Sequence, residues 1–415
     1  MNMWLFFILF VLIFTFCLEA VVSFLNIGAL TSTLPKEFEN IYDNDKYKKS
    51  QEYTKITSQF SLIQNGFSTL ITILFLLLGG FNMIDLWARS FGFSEIITGL
   101  IFTGILILFS FLSGLPFSVY STFVIEEQFG FNKTTIQTFI LDIIKGSALI
   151  IIIGAPVLTL ILWFFMSAGT YAWLFCWIGV FIISLFLQFI APVVIMPLFN
   201  KFSPIEEGAL KDNIIRYANQ ENFKLQGIYT MDGSKRSSKL NAFFTGLGNF
   251  RKIVFYDTLL EKLTELEITA ILAHEMGHFK LKHITKMIVG SAIQTGILFY
   301  LLSLFLHSKG LSTAFSMQHL SIYSSLVFFG FIYSPVSMLT SIIFNVISRK
   351  HEYAADKYAA VTTAQPELLI EGLKKLTIAN LGNLTPHPLH VFLHYSHPPV
   401  LMRIKKLQQL ASLPQ

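Results

Sequence analysis

Seven apolar stretches, each near the length a membrane-spanning helix needs, dominate the pattern along the chain. They cover roughly residues 4–27, 63–84, 96–116, 147–168, 172–196, 284–306 and 321–345. The first lacks a basic leading region, and its apolar run is too long for a signal peptide, so it reads as a retained span. Lysines and arginines collect in 28–62, 117–146, 197–283 and the tail from 346, whereas the opposite short loops hold only Arg89 and Lys309. The positive-inside rule then sets the N-terminus outside and those four basic segments in the cytoplasm.

The polar segments carry local patterns of their own. Asn132 is a candidate N-cap, and Ile136, Phe139, Ile140, Ile143 and Ile144 follow at helical spacing. That stripe predicts a helix lying on the membrane or on neighbouring spans. Asn241–Thr245 and Ile253–Tyr256 are β-prone, with Gly246, Gly248 and Asn249 between them, which predicts a hairpin. A strand edge of this kind can take an extended peptide by main-chain hydrogen bonds. Within the spans, Glu19, Gln188 and Gln294 are costly in lipid and should face the bundle or an interior cavity.

Composition agrees with the pattern. Of 415 residues, 53% are hydrophobic and 13% charged, values of a polytopic membrane protein. The net charge of +5 needs no nucleic-acid partner, because the basic residues flank apolar segments. Cys17 and Cys176 both lie in apolar runs and offer neither a disulfide framework nor a thiolate metal site.

The chemistry centres on Ile271-Leu-Ala-His-Glu-Met-Gly-His-Phe279, an H-E-x-x-H pattern. Thr264-Glu-Leu-Glu267 reads as a capping box that starts a helix there. On a helix, His274 and His278 share a face and can ligate one zinc ion, with Glu275 beside them to polarise the attacking water. A catalytic zinc needs a third protein ligand. Glu352 can supply it, with Asp356 one turn on to bond a ligand histidine and fix its tautomer. His351 is a competitor that should point away from that face. Further on, prolines hold Thr385–His390 and Tyr395–Val400 in turns, and His397 can donate a hydrogen bond to an oxyanion. Arg403 follows and is expected, with Asp356, behind the ligands.

Six stretches and a closing turn together carry a family resemblance. They are Leu115-Pro-Phe, Glu126–Thr134, Pro197–Phe202, Gly233–Ser238 with Asn241-Ala-Phe-Phe, His274–His278, and Arg349–Asp356, closed by Ser396-His-Pro-Pro with Arg403. In this set the chain resembles the type I CAAX prenyl endopeptidases, integral-membrane zinc metalloproteases of the gluzincin kind. The resemblance implies one zinc per chain, held by His274, His278 and Glu352, with Glu275 as general base. It implies a mainly α protein of seven transmembrane helices forming a barrel around a large water-filled chamber. A cytoplasmic protease domain would carry the small hairpin, with Asn241, Ala242 and Phe243 beside the substrate. Lys239 and Leu240 depart from a more frequent histidine and small polar residue, and Phe243 from a frequent tyrosine. All three changes are expected at the substrate edge. The compact chain suits a bacterial member.

The expected division is 1–196 for spans one to five, 197–283 for the cytoplasmic protease segment, 284–345 for spans six and seven, and 346–415 for the C-terminal protease segment. The expected activity is zinc-dependent endopeptidase cleavage of extended peptides or C-terminal segments, with or without a prenyl group, at a membrane lipid surface. That membrane would be the inner membrane in a bacterium or the endoplasmic reticulum in a eukaryote, with the active site towards the cytoplasm. Competing readings are a quality-control protease of broad specificity, a site-two-type intramembrane protease, and a non-catalytic zinc-binding scaffold. The charged and polar flanks Glu265, Glu267, Lys280, Lys282 and His283 disfavour placing the motif inside a span.

Overall fold

The computed structural model describes residues 2–245 and 252–412. Seven helices are long and apolar enough to cross a membrane: Met3–Gly28, Asn44–Leu77, Glu95–Gln128, Ile136–Ser167, Gly169–Phe199, His283–Phe305 and Ile322–Thr363. Each packs against the next, and the seventh returns to the first, which closes a ring. The seventh also packs on spans three and four. Large apolar side chains such as Phe6, Ile151 and Ile182 stay exposed on the outside, as lipid-facing positions do.

One end of the ring is drawn together by a buried polar knot. Asp85, fully buried, accepts from the Tyr323 hydroxyl and from Arg89 Nε at 3.1 Å. The two other Arg89 nitrogens reach Glu95 at 3.0 and 3.1 Å. The knot ties helix Gly80–Arg89 to the starts of spans three and seven. Gly99 allows the approach, because a Cβ there would meet the Tyr323 side chain at 2.9 Å.

At the opposite end lies a four-stranded sheet and the helices that cover it. Its strands are β1 (Phe202–Pro204), β2 (Gly227–Met231), β3 (Ala242–Thr245) and β4 (Lys252–Tyr256), in the order β1-β2-β4-β3. β4 runs parallel to β2 and antiparallel to β3, with Ala242 opposite Phe255. β3 is therefore an edge strand. The two strands of the expected hairpin are paired, while its turn residues Gly246, Gly248 and Asn249 lie outside the described residues. A core of Ile253, Phe255, Ile268, Leu272, Met276, Leu369 and Ile404 joins the sheet to the surrounding helices.

Several boundaries differ from the sequence reading. The stripe from Ile136 is the first turns of span four rather than a separate helix on the membrane. Its N-cap is Thr135, which accepts from the Thr138 amide at 3.1 Å; Asn132 instead accepts from the Thr134 amide and shapes the preceding turn. Span two begins at Asn44, so Lys46, Lys48, Lys49 and Lys55 lie on a helix and not in a loop. Span seven runs without a break to Thr363, so the boundary at 345/346 falls inside one helix of 42 residues.

Candidate active site and metal centre

The helix Glu265–Lys280 starts with a reciprocal cap. Glu267 accepts from the Thr264 amide at 2.8 Å, and Thr264 Oγ1 accepts from the Glu267 amide at 3.4 Å. Glu267 also pairs with Lys375 at 2.6 Å, so this nearly buried carboxylate is not left unpaired. The helix is buried around most of its circumference. Its fourth turn crosses the extension of span seven at Gly277, where a Cβ would lie 3.1 Å from Ala355 Cα. Glycine lets the two backbones close up, and the side chains of Glu352 and Asp356 then reach the histidines.

Three donor groups converge. His274 Nε2 and His278 Nε2 are 3.2 Å apart. Glu352 Oε1 is 3.2 Å from His278 Nε2, and its Oε2 is 3.4 Å from His274 Nε2. A tetrahedral zinc with bonds of about 2.0–2.2 Å has ligand-to-ligand edges of about 3.3–3.6 Å. The three residues fit such an ion, and among the described residues they are the one group of this kind. Glu352 is only 3% exposed, and its Oε2 has no hydrogen-bond donor. Arg403 Nη1 forms an ion pair with that oxygen at 3.5 Å without hydrogen-bond geometry, so a closer cation would complete it at lower cost.

The surrounding bonds set the tautomers. Asp356 Oδ1 lies 2.8 Å from His274 Nδ1, which assigns the proton to Nδ1 and leaves the Nε2 lone pair free. Arg403 grips the same carboxylate twice, from Nε at 2.8 Å and Nη2 at 2.6 Å. Its Nη2 is also 3.4 Å from His274 Nδ1, but a nitrogen that donates to Asp356 cannot accept there, so the shorter contact decides. Burial and the Arg403 charge oppose protonation of His274. The carboxylates of Asp356 and Glu352 outweigh them and push its pKa up to about 9.

The other expected residues take their places around a cavity of about 810 Å³. Glu275, His278, Glu352 and His397 line it, together with Phe243, Phe244 and Thr245 of β3. His397, two-thirds exposed, reaches Glu352 Oε1 at 3.4 Å from its Nε2. Gln188 and Gln294 also line this cavity, and Glu19 lines a second one of about 660 Å³ between spans one, two and seven. Asn241 and Ala242 sit on the open edge of the sheet.

Two expectations fail, and one residue was missed. Lys239 and Leu240 are not at the cavity. Lys239 Nζ is held by Glu126 and the Tyr53 hydroxyl, both at 2.8 Å, over the Phe131 ring, and Leu240 is buried in the core. They anchor the sheet segment to spans two and three. His351 does not turn away: it lines the cavity and stacks on His283 with 4.0 Å between ring centroids. His283 is the missed residue. Its Nδ1 lies 3.1 Å from His278 Nδ1, the counterpart of the Asp356 bond to His274. Its position nine residues after His274, past the helix end, gave no periodic signal.

Fold and site together define an integral, multi-pass membrane metalloendopeptidase. A family model described as the CAAX prenyl protease N-terminal region, with five membrane helices, matches residues 23–201, and one described as peptidase family M48 matches residues 204–411. The chain belongs to peptidase family M48, in its CAAX prenyl protease branch. It is 34% identical to a CAAX prenyl protease 1 homolog of Arabidopsis thaliana, covering 93% of each chain. It is 33% identical to CAAX prenyl protease 1 of Saccharomyces cerevisiae, covering 95% of this chain and 93% of the relative. The crystal structure of S. mikatae Ste24p superposes with a TM-score of 0.92 at 33% identity, covering 97% of this chain and 99% of that one. Eukaryotic relatives are thus matched over most of their length, so compactness does not set this chain apart from them.

Proposed function

We propose that the protein is a zinc endopeptidase that cuts extended peptide segments held between strand β3 and the metal centre. His274, His278 and Glu352 would hold one zinc ion. The observation that carries this reading is the buried Glu352 Oε2, without a donor, beside two inward-facing imidazole nitrogens. When bound, zinc supplies Lewis acidity towards a water and the scissile carbonyl.

The chain's own groups do the rest. Glu275, on the cavity wall, takes a proton from the attacking water and delivers it to the leaving amine. His397 donates to the oxyanion of the tetrahedral intermediate. Asp356, itself held by Arg403, and His283 keep the ligand rings in register. Asn241, Ala242 and Phe243 border the peptide: the strand edge pairs with its backbone and Phe243 meets its side chains. The segments 197–283 and 346–415 act as one catalytic unit seated on the helical ring.

The relatives' names point to C-terminal segments of prenylated proteins as one substrate class. The ring cavities have apolar and polar walls that suit a lipid tail beside a peptide. Main-chain pairing also tolerates varied side chains, which supports a second reading, a quality-control protease of broad specificity. The charge bias supports a catalytic unit in the cytoplasm, on the inner membrane of a bacterium or the endoplasmic reticulum of a eukaryote. Incubating purified protein with prenylated and unprenylated peptide libraries, with and without chelator, tests the proposal. Chelator-sensitive internal cleavage is expected; zinc bound without any cleavage would favour a scaffold.

A further inference from the structure

We propose that Asn345 and Arg349 are positioning residues for His397, an inference that rests on the peptidase reading above. His397 sits in a turn between helix Pro388–His394 and helix Val400–Ala411. From within the turn, Ser396 Oγ meets His397 Nδ1 at 3.0 Å, a contact that orients the ring but does not fix the backbone of the turn. Pro398 and Pro399 have no N–H to donate; the Val391 carbonyl accepts from the Tyr395 amide at 3.2 Å, and the carbonyls after it lie past that last helical bond. Span seven supplies further donors. Asn345 Nδ2 donates to the Leu393 carbonyl at 2.8 Å. Arg349 Nη1 donates to the Val391 carbonyl at 3.0 Å and to the Tyr395 carbonyl. On the far side of the turn, Arg403 returns to Asp356 of the same span-seven helix.

Asn345, Arg349, Glu352 and Asp356 are spaced by four, three and four residues, so they form one stripe of one helix. That stripe holds the His397 turn at both ends and carries Glu352 between. The separation between His397 and Glu352, 3.4 Å at the closest atoms, is thereby set by a single rigid element. Neither Asn345 nor Arg349 lines the cavity, so both act through His397. A misplacement of about 1 Å at a reacting group costs roughly 100-fold in rate.

The test compares Arg349→Ala, Arg349→Lys, Asn345→Ala, His397→Ala and the double variant Arg349→Ala/His397→Ala in the full-length protein. Bound zinc, kcat and KM on a cleaved peptide, and backbone hydrogen exchange of the metal-free proteins are measured. Arg349→Ala should keep its zinc and KM while kcat falls by about 100-fold. Arg349→Lys should recover part of that loss. The double variant should be no slower than His397→Ala alone. Exchange should accelerate in residues 388–397 and stay unchanged in residues 265–280. A double variant whose losses multiply overturns the proposal, as does loss of zinc in Arg349→Ala, which would mean action through Glu352. If Arg349→Ala does not fold, wild-type kcat in both Asn345→Ala and Arg349→Lys overturns it. If the wild type cleaves no peptide, the peptidase reading fails, and the exchange experiment still reports whether the clamp holds the turn.

Discussion

His274 Nε2 and His278 Nε2 face each other across 3.2 Å, and on each ring the other nitrogen is already engaged. Nδ1 of His274 meets Asp356 and Nδ1 of His278 meets His283. With Glu352 closing the triangle, three acceptors converge where a proton or a cation must sit. Glu352→Ala should therefore lower zinc occupancy and rate together. Asp356→Ala should keep zinc at saturating metal and lose on the order of 10- to 100-fold in affinity or rate. Metal analysis of dialysed protein checks both. Full zinc in Glu352→Ala would hand the ligand role to His397, the next imidazole within reach.

Among the described residues, Glu275 is the one carboxylate on the cavity wall outside the ligand set. Glu275→Gln preserves shape and leaves the three donors untouched. Zinc content should stay at the wild-type level while kcat falls by about 100- to 10,000-fold. Cleavage within a few-fold of wild type would remove Glu275 from the base role.

The chemistry was legible where it follows a short repeat. The capping box at Thr264, the i,i+4 histidines and the pair Glu352 and Asp356 are local patterns, and a helix converts each into geometry. The seven apolar runs were legible for the same reason. What escaped depends on tertiary contact. Arg349, Lys350, Glu352 and Asp356 made the end of span seven look like a separate soluble tail, yet the charges of Arg349, Glu352 and Asp356 are absorbed by the turn carbonyls, by Arg403 and by the histidines. Lys239 looked like an edge residue because its partners Tyr53 and Glu126 are 186 and 113 positions away. His283 follows a left-handed Lys282, which re-aims the chain and brings its ring back to His278 across a helix break.

His283 offers a test of that return. His283→Phe keeps a ring to stack on His351 but removes the nitrogen that faces His278. Zinc affinity should fall by about 10- to 100-fold, with a smaller loss for His283→Asn, whose amide oxygen can accept. A competing chelator titration measures this without catalysis. Equal affinity in wild type and His283→Phe would mean that the His278 ring is held by packing alone.

Orientation can be read chemically. Glu207 is exposed on the sheet side, and Lys309 is exposed between spans six and seven. With Cys17 and Cys176 replaced by serine, Glu207→Cys should react with an impermeant maleimide only after the cytoplasmic face is opened. Lys309→Cys should react in sealed cells or vesicles that present the opposite face. The reverse pattern would overturn the orientation drawn from charge bias.

The edge of β3 gives the sharpest test of how substrate is held. The Tyr256 amide donates to the Asn241 carbonyl at 3.1 Å, so residues 241 and 256 form a hydrogen-bonded pair. Bonded and non-bonded pairs alternate in an antiparallel ladder, so the Ala242–Phe255 pair is non-bonded and the Ala242 N–H points to the open edge. There it is occupied only by its neighbour's side chain, Asn241 Oδ1, at 2.9 Å. Asn241 thus blunts the edge when no strand is present, and an arriving peptide carbonyl would displace it. Ala242→Pro removes this outward N–H and no bond of the β3–β4 ladder. The sheet should survive, zinc content should match wild type, and KM should rise steeply or activity vanish for extended peptides. Asn241→Ala should behave differently: it exposes the same N–H and should leave KM equal or lower. A folded, zinc-loaded Ala242→Pro protein that cleaves extended peptides at the wild-type rate would refute strand pairing and leave β3 a structural edge.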